Sequence, residues 1–103
     1  MDLVNYIGET SSYDKKVQLE RHKLKSWLKS VSAFANSKGG VLIWGIDDED
    51  RLVGLDDAKG DSEFISTMIK NKLDPIPRVN LEIIRNDNKD VIMLHVYEGN
   101  ETP

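Results

Sequence analysis

The chain has no cysteine among its 103 residues, which excludes disulfides and thiolate metal sites. Proline is scarce, at three residues, and no segment is repetitive or of low complexity. No apolar run approaches the roughly 20 residues needed to cross a bilayer. The first residues lack the basic-then-apolar order of a secretory signal. These absences lead us to expect a cytoplasmic protein with no membrane partner. A positive balance of charge is missing as well: 14 Lys and Arg stand against 18 Asp and Glu, a net charge of −4. Contact with a polyanion must therefore come from a local patch. The 39% hydrophobic and 31% charged residues suit a globular chain rather than a disordered one. The length suits one domain with a modest core.

Ser30 to Asp48 organises the rest. Leu24, Trp27, Leu28, Val31, Phe34 and Ala35 recur at helical spacing and form one apolar stripe. The helical period runs from about Leu19 to Ser37, and Gly39-Gly40 then offers the positive φ that ends a helix. Val41 to Ile46 reads as a strand covered on both faces. Tyr13 to Val17 is expected to be a first short strand, after one helical turn at Leu3 to Ile7. Asp48 to Arg51 is a polar turn, and Leu52 to Leu55 reads as the returning strand of a hairpin. Ser62 is the expected N-cap of a second helix, with Phe64, Ile65, Met68, Ile69, Lys72 and Leu73 at helical spacing and Asp74-Pro75 closing it. Val79, Leu81 and Ile83 alternate with polar residues. A turn at Asn86 to Lys89 leads into Val91 to Tyr97. The expected fold is α+β, in the order β-α-β-β-α-β-β, with two helices packed against a mixed sheet.

Several of these pieces together resemble one family. Gly8-Glu9, Asp14-Lys15-Lys16, Ala33-Phe34-Ala35-Asn36, Gly39-Gly40, Gly45-Ile46-Asp47-Asp48 and Val53-Gly54-Leu55 are similar to the AlbA/Schlafen-type DNA-binding domain. The resemblance covers nearly the whole chain, and the Ala-Phe-Ala-Asn phrase followed by a glycine pair and Gly-Ile-Asp-Asp is its specific part. It implies a single domain over residues 1–103, the N-terminal module of a longer bacterial transcriptional regulator or helicase-related protein. In animal Schlafen proteins a duplicated form of the domain cleaves structured RNA with three acidic residues and a divalent metal. By that resemblance Glu9, Asp14 and Asp48 occupy the acidic positions, with Asp14 one methylene shorter than the glutamate it replaces.

Two groups of residues can carry chemistry. Arg21, Lys25 and Lys29 lie at i, i+4 and i+8, on a stripe beside the apolar one, which Lys15, Lys16, Lys23 and Lys38 extend. From Lys15 to Lys29 there are six Lys or Arg and one acid, Glu20. Such a stripe can neutralise phosphates without reading bases; a plain solvated face is the competing explanation. Like charges at i, i+4 cost a helix roughly 0.2–0.5 kcal/mol per pair, so an unrelieved row is not the most stable surface. Glu9, Asp14, Asp47 and Asp48 form the second group. Carboxylates can hold magnesium or manganese and position water against a phosphodiester, whereas Asp47 and Asp48 can equally shape a turn. Gly39-Gly40 follows a helix and lacks the P-loop spacing, so it is expected to be a tight reversal. Trp27 and Trp44 are expected in the core, His95 half-buried in the sheet, and Asn36 at the helix end.

The leading expectation is a non-catalytic module that grips DNA or RNA backbone through Lys15, Lys16, Arg21, Lys25, Lys29 and Lys38 and needs no cofactor. The alternative is a nuclease using Glu9, Asp14 and Asp48 with magnesium or manganese. A protein-interaction or dimerisation domain, with a homo-oligomer as its product, is the third.

Overall fold

A computed structural model of the chain describes residues 12–99; the expected turn at Leu3 to Ile7 lies outside them. The elements are β1 (Tyr13–Lys16), α1 (Leu24–Ala35), β2 (Gly40–Trp44), α2 (Ala58–Lys72), β3 (Val79–Asn86) and β4 (Lys89–Val96). The four strands form one mixed sheet in the order β1-β2-β4-β3. β1 runs parallel to β2 with Tyr13 opposite Val41 and Lys16 opposite Trp44. β4 is antiparallel to both of its neighbours.

Strand alternation gives the sheet two unlike faces. Leu42, Trp44, Ile92, Leu94 and Val96 point to one face, where they form the main core with Trp27 and Val31 of α1 and Ala58, Ile65 and Ile69 of α2. Both helices therefore lie on the same side of the sheet. Leu24, Leu28, Phe34, Phe64, Met68 and Leu73, all read from helical spacing, pack around that core. Trp27 and Trp44 meet edge to face, with ring centroids 5.7 Å apart at 84°, the arrangement aromatic quadrupoles prefer. Their two indole N–H groups are buried without a hydrogen-bond partner among the described residues, a cost of roughly 1–3 kcal/mol each that packing must offset. On the other face Val41, Ile43, Ile46 and Met93 make a smaller cluster with Ile84.

Gly39 is the reversal between α1 and β2. Its φ is +87, its N–H donates to the Phe34 carbonyl at 2.9 Å, and an added Cβ would come within 2.6 Å of the Val96 carbonyl oxygen. Only glycine satisfies both the left-handed backbone and that close approach. At the other end of the sheet Asp87 and Asn88 have φ of 53 and 62 between the paired residues Asn86 and Lys89. Two positive-φ residues in a two-residue loop are the geometry whose twist matches a hairpin.

The expected α+β fold and element order are present, with two local differences. The returning segment at Leu52 to Leu55 is reduced to a single antiparallel bridge between Ile46 and Leu52. Val53 and Gly54 N–H groups both donate to the Gly45 carbonyl, at 2.8 and 2.9 Å, and Leu55 N–H donates to Asp90. The segment crosses the end of β2 and β4 instead of running alongside β2. The second difference is that α2 begins at Ala58, its N-cap lying five residues before the one expected at Ser62. Asp57 is the N-cap, and its carboxylate accepts the Gly60 N–H at 3.1 Å. Ser62 instead sits inside the helix and donates its hydroxyl to the Lys59 carbonyl.

Candidate functional site

The six cations expected to contact phosphate divide into two sets. Lys15 is held on the face of β1 away from the helices. Its Nζ lies 2.8 Å from Asp50 Oδ1 and donates to the Asp48 carbonyl at 2.8 Å. The hydrogen bond to Asp50, more than any other influence, raises its pKa above the ordinary lysine value. Lys16 Nζ is 3.4 Å from Asp14 Oδ2. Arg21 is bound to α2: its guanidinium lies 2.8 Å from Asp61 and 3.8 Å from Asp57, and 5.2 Å from the Phe64 ring centre. These three cations already have anionic partners.

Lys25, Lys29 and Lys38 do not. Each is exposed, and none has an ion pair among the described residues. Lys25 and Lys29 stand one turn apart near the start of α1, whereas Lys38 lies beyond its C-terminal end. The structure adds Lys72, from the last turn of α2, which lines the same groove as Lys25 and Lys29. Lys72 too is exposed and has no ion pair among the described residues. In the sequence it falls on the apolar spacing of α2, and nothing local announces that it faces α1. Leu24 and Leu28 lie between these lysines and floor the groove.

The start of α1 is unusually positive. It has no acid in its first turn and no side-chain cap, and Lys23 occupies the N-cap position. Helix N-termini favour negative charge by about 0.3–1 kcal/mol per group. Lys23 and Lys25 thus sit against the helix dipole, although Glu20 at 3.4 Å relieves Lys23. An anion placed over Lys25 would be favoured by both the side chains and the dipole.

Of the three expected acids, Asp14 and Asp48 lie within the described residues. Glu9 lies outside the described residues. The Asp14 carboxylate accepts the Ser30 hydroxyl at 3.1 Å in addition to facing Lys16. Asp48 is in the exposed turn after β2, and its backbone carbonyl is what Lys15 holds. Among the described residues, no three His, Asp or Glu side chains converge where a metal ion could bind. Asp47 shapes the turn: Oδ1 accepts the Glu49 and Arg51 N–H groups, both at 2.9 Å, and Oδ2 lies 3.0 Å from Arg51 Nε. The Arg51 backbone N–H is the largest influence holding its carboxyl below the usual aspartate value. His95 is half-buried in the sheet, as its alternation predicts, and its Nε2 lies 3.0 Å from Glu82. Asn36 caps α1 through its backbone N–H, which donates to Ser32.

Two helices on one face of a four-stranded mixed sheet, with a basic groove between them, describe a small α+β domain of recognisable type. The family model for Schlafen, AlbA_2 matches residues 9–103, and the chain belongs to that family. A comparison with curated proteins found no match. Among solved structures, the chain is similar to the solution structure of the N-terminal domain of a RecG-related protein from Nitrosomonas europaea, named for ATP-dependent DNA helicases. The TM-score is 0.70 at 24% identity over 92% of this chain and 68% of that one, which establishes a shared fold. Among the described residues no helix is long and apolar enough to cross a membrane.

Proposed function

We propose that this domain binds nucleic acid through the backbone phosphates, with Lys25, Lys29 and Lys72 as the principal contacts and Lys38 as an outlying one. The observation that carries this reading is the contrast between two sets of cations. Lys15, Lys16 and Arg21 are engaged by carboxylates, while three lysines from two helices line one groove with no ion pair of their own among the described residues. Unpaired ammonium groups brought together repel one another. A bound polyanion relieves that repulsion and releases counterions as it does so. Membership of the Schlafen, AlbA_2 family supports the reading, as does the fold shared with the N-terminal domain of a helicase-related protein.

In this scheme the domain is a binding module of a larger DNA- or RNA-directed bacterial protein, regulator or helicase-related, and performs no chemistry itself. Nuclease action by Glu9, Asp14 and Asp48 draws no support from the geometry of Asp14, whose carboxylate is occupied by Ser30 and Lys16. Binding is tested by fluorescence anisotropy with labelled DNA and RNA oligonucleotides at low salt. The double variant Lys25→Glu/Lys29→Glu is expected to abolish it. Retention of full affinity in that variant, with its circular dichroism unchanged, refutes the assignment.

A further inference from the structure

The hollow around Lys25, Leu28 and Lys72 has a volume of about 570 Å³ and does not end there. An adjoining hollow contains the same three residues together with Ser32 and Leu73. Ser32 and Leu73 in turn border a third, of about 400 Å³, walled by Pro75, Ile76 and Gly99. One continuous groove thus follows α1 along its length of about 18 Å. α1 forms one wall; the end of α2 and the 73–78 connector form the other. Its lining is segregated. Leu24, Leu28, Leu73 and Ile76 supply apolar surface, and Ile76 is 57% exposed. Lys25, Lys29 and Lys72, which have no ion pair among the described residues, stand at one end, and the carboxylates of Asp74 and Glu98 line the other, so the phosphates of a bound strand gather at the lysine end.

We infer that this groove takes a single strand of nucleic acid rather than a duplex, an inference that rests on the phosphate-binding reading above. A duplex keeps its bases stacked inside and presents charged backbone outward. Leucines facing that backbone would gain nothing from losing their water. A single strand can keep its phosphates against the lysines while turning base faces onto the apolar lining. Apart from the His22 imidazole at one end, the described lining of the groove carries no aromatic side chain, so bases are held mainly by apolar contact rather than ring stacking. Binding is accordingly tolerant of sequence and weaker than on an aromatic platform.

The test compares wild-type protein with a single-stranded oligonucleotide and a blunt duplex of equal length, by anisotropy at one salt concentration. The single strand is expected to bind at least about tenfold more tightly, the scale of burying part of a leucine side chain. Leu28→Gln should weaken single-strand binding by about that factor more than it weakens duplex binding, with folding checked by circular dichroism. Lys25→Glu/Lys29→Glu should weaken both. Duplex binding equal to or tighter than single-strand binding overturns the inference while leaving phosphate recognition intact. Competition by poly-glutamate as effective as by the single strand also overturns it, since the groove would then sense charge alone. Binding of neither oligonucleotide overturns both readings. The wild-type comparison needs no variant, so an unstable Leu28→Gln protein does not remove the test.

Discussion

If the paired and unpaired cations differ in function, two triple variants with the same formal charge should behave differently. Lys25→Ala/Lys29→Ala/Lys72→Ala and Lys15→Ala/Lys16→Ala/Arg21→Ala each remove three positive charges. The first removes groups with no ion pair among the described residues; the second removes groups already lying 2.8 to 3.4 Å from carboxylates. The dependence of log affinity on log salt has a slope of about 0.7 per phosphate neutralised on a single strand. Losing the groove lysines should therefore flatten the slope by about 2. A fourfold rise in salt would then weaken wild-type binding about 18-fold more than it weakens that variant. The other triple variant should keep a slope near wild type. Anisotropy titrations at five or six salt concentrations measure this. Equal slopes for the two variants would mean that only total charge matters, and the assignment to one groove would be wrong.

Gly39→Ala should destabilise the fold by more than about 2 kcal/mol, because left-handed backbone costs an L-residue about 1–2 kcal/mol and the new methyl meets the fixed Val96 carbonyl. Gly54→Ala shares the positive φ but comes only to 3.1 Å from Lys89 Cβ, a looser approach than the 2.6 Å at Gly39, so it should cost less, about 1–2 kcal/mol; urea denaturation ranks the pair, and the reverse order contradicts the account. Asp57→Ala should lower stability by about 1 kcal/mol through loss of the α2 cap, a fall of roughly 4–8 °C in Tm, whereas an alanine at Ser62 should cost little. Carboxyl NMR should place the Asp47 pKa below the ordinary aspartate value, and its contribution to stability is then present above the ordinary value and lost as pH falls through the lowered one. Arg51→Ala should leave most of that depression in place, because the main donor is the Arg51 backbone N–H; full reversion to the ordinary value would show that the side chain was responsible.

Periodicity made much of the fold legible. The Leu24-to-Ala35 stripe, the Gly39 reversal and the positive-φ turn after β3 are all local properties of the chain, and local patterns survive folding. The start of α2 was not legible because Gly60 reads as a loop residue. In the structure its lack of a side chain is what lets the Asp57 carboxylate close over the first turn; a Cβ there would strike that carboxylate. The returning strand expected at Leu52 to Leu55 is present only as the Ile46–Leu52 bridge, since a short apolar run cannot reveal that its next N–H groups go to Gly45 and Asp90. The site was half legible. Spacing found Lys25 and Lys29, but the partners that distinguish them from Lys15 and Arg21 are 35 and 40 residues away in sequence. Lys72 reaches the groove only because α2 packs beside α1.

The place of β3 at the margin of the sheet has a consequence for handling the protein. Among the described residues nothing pairs with its outer side, so alternate backbone amides and carbonyls over eight residues are open to any extended chain that arrives in register. Asn80, Glu82 and Arg85 are the exposed polar groups that discourage such growth, next to Ile83, which is 43% exposed. Neutral β-formers at Glu82 and Arg85 would turn a guarded border into an adhesive one, and the first sign would be fibrillar precipitate from a protein whose groove was untouched.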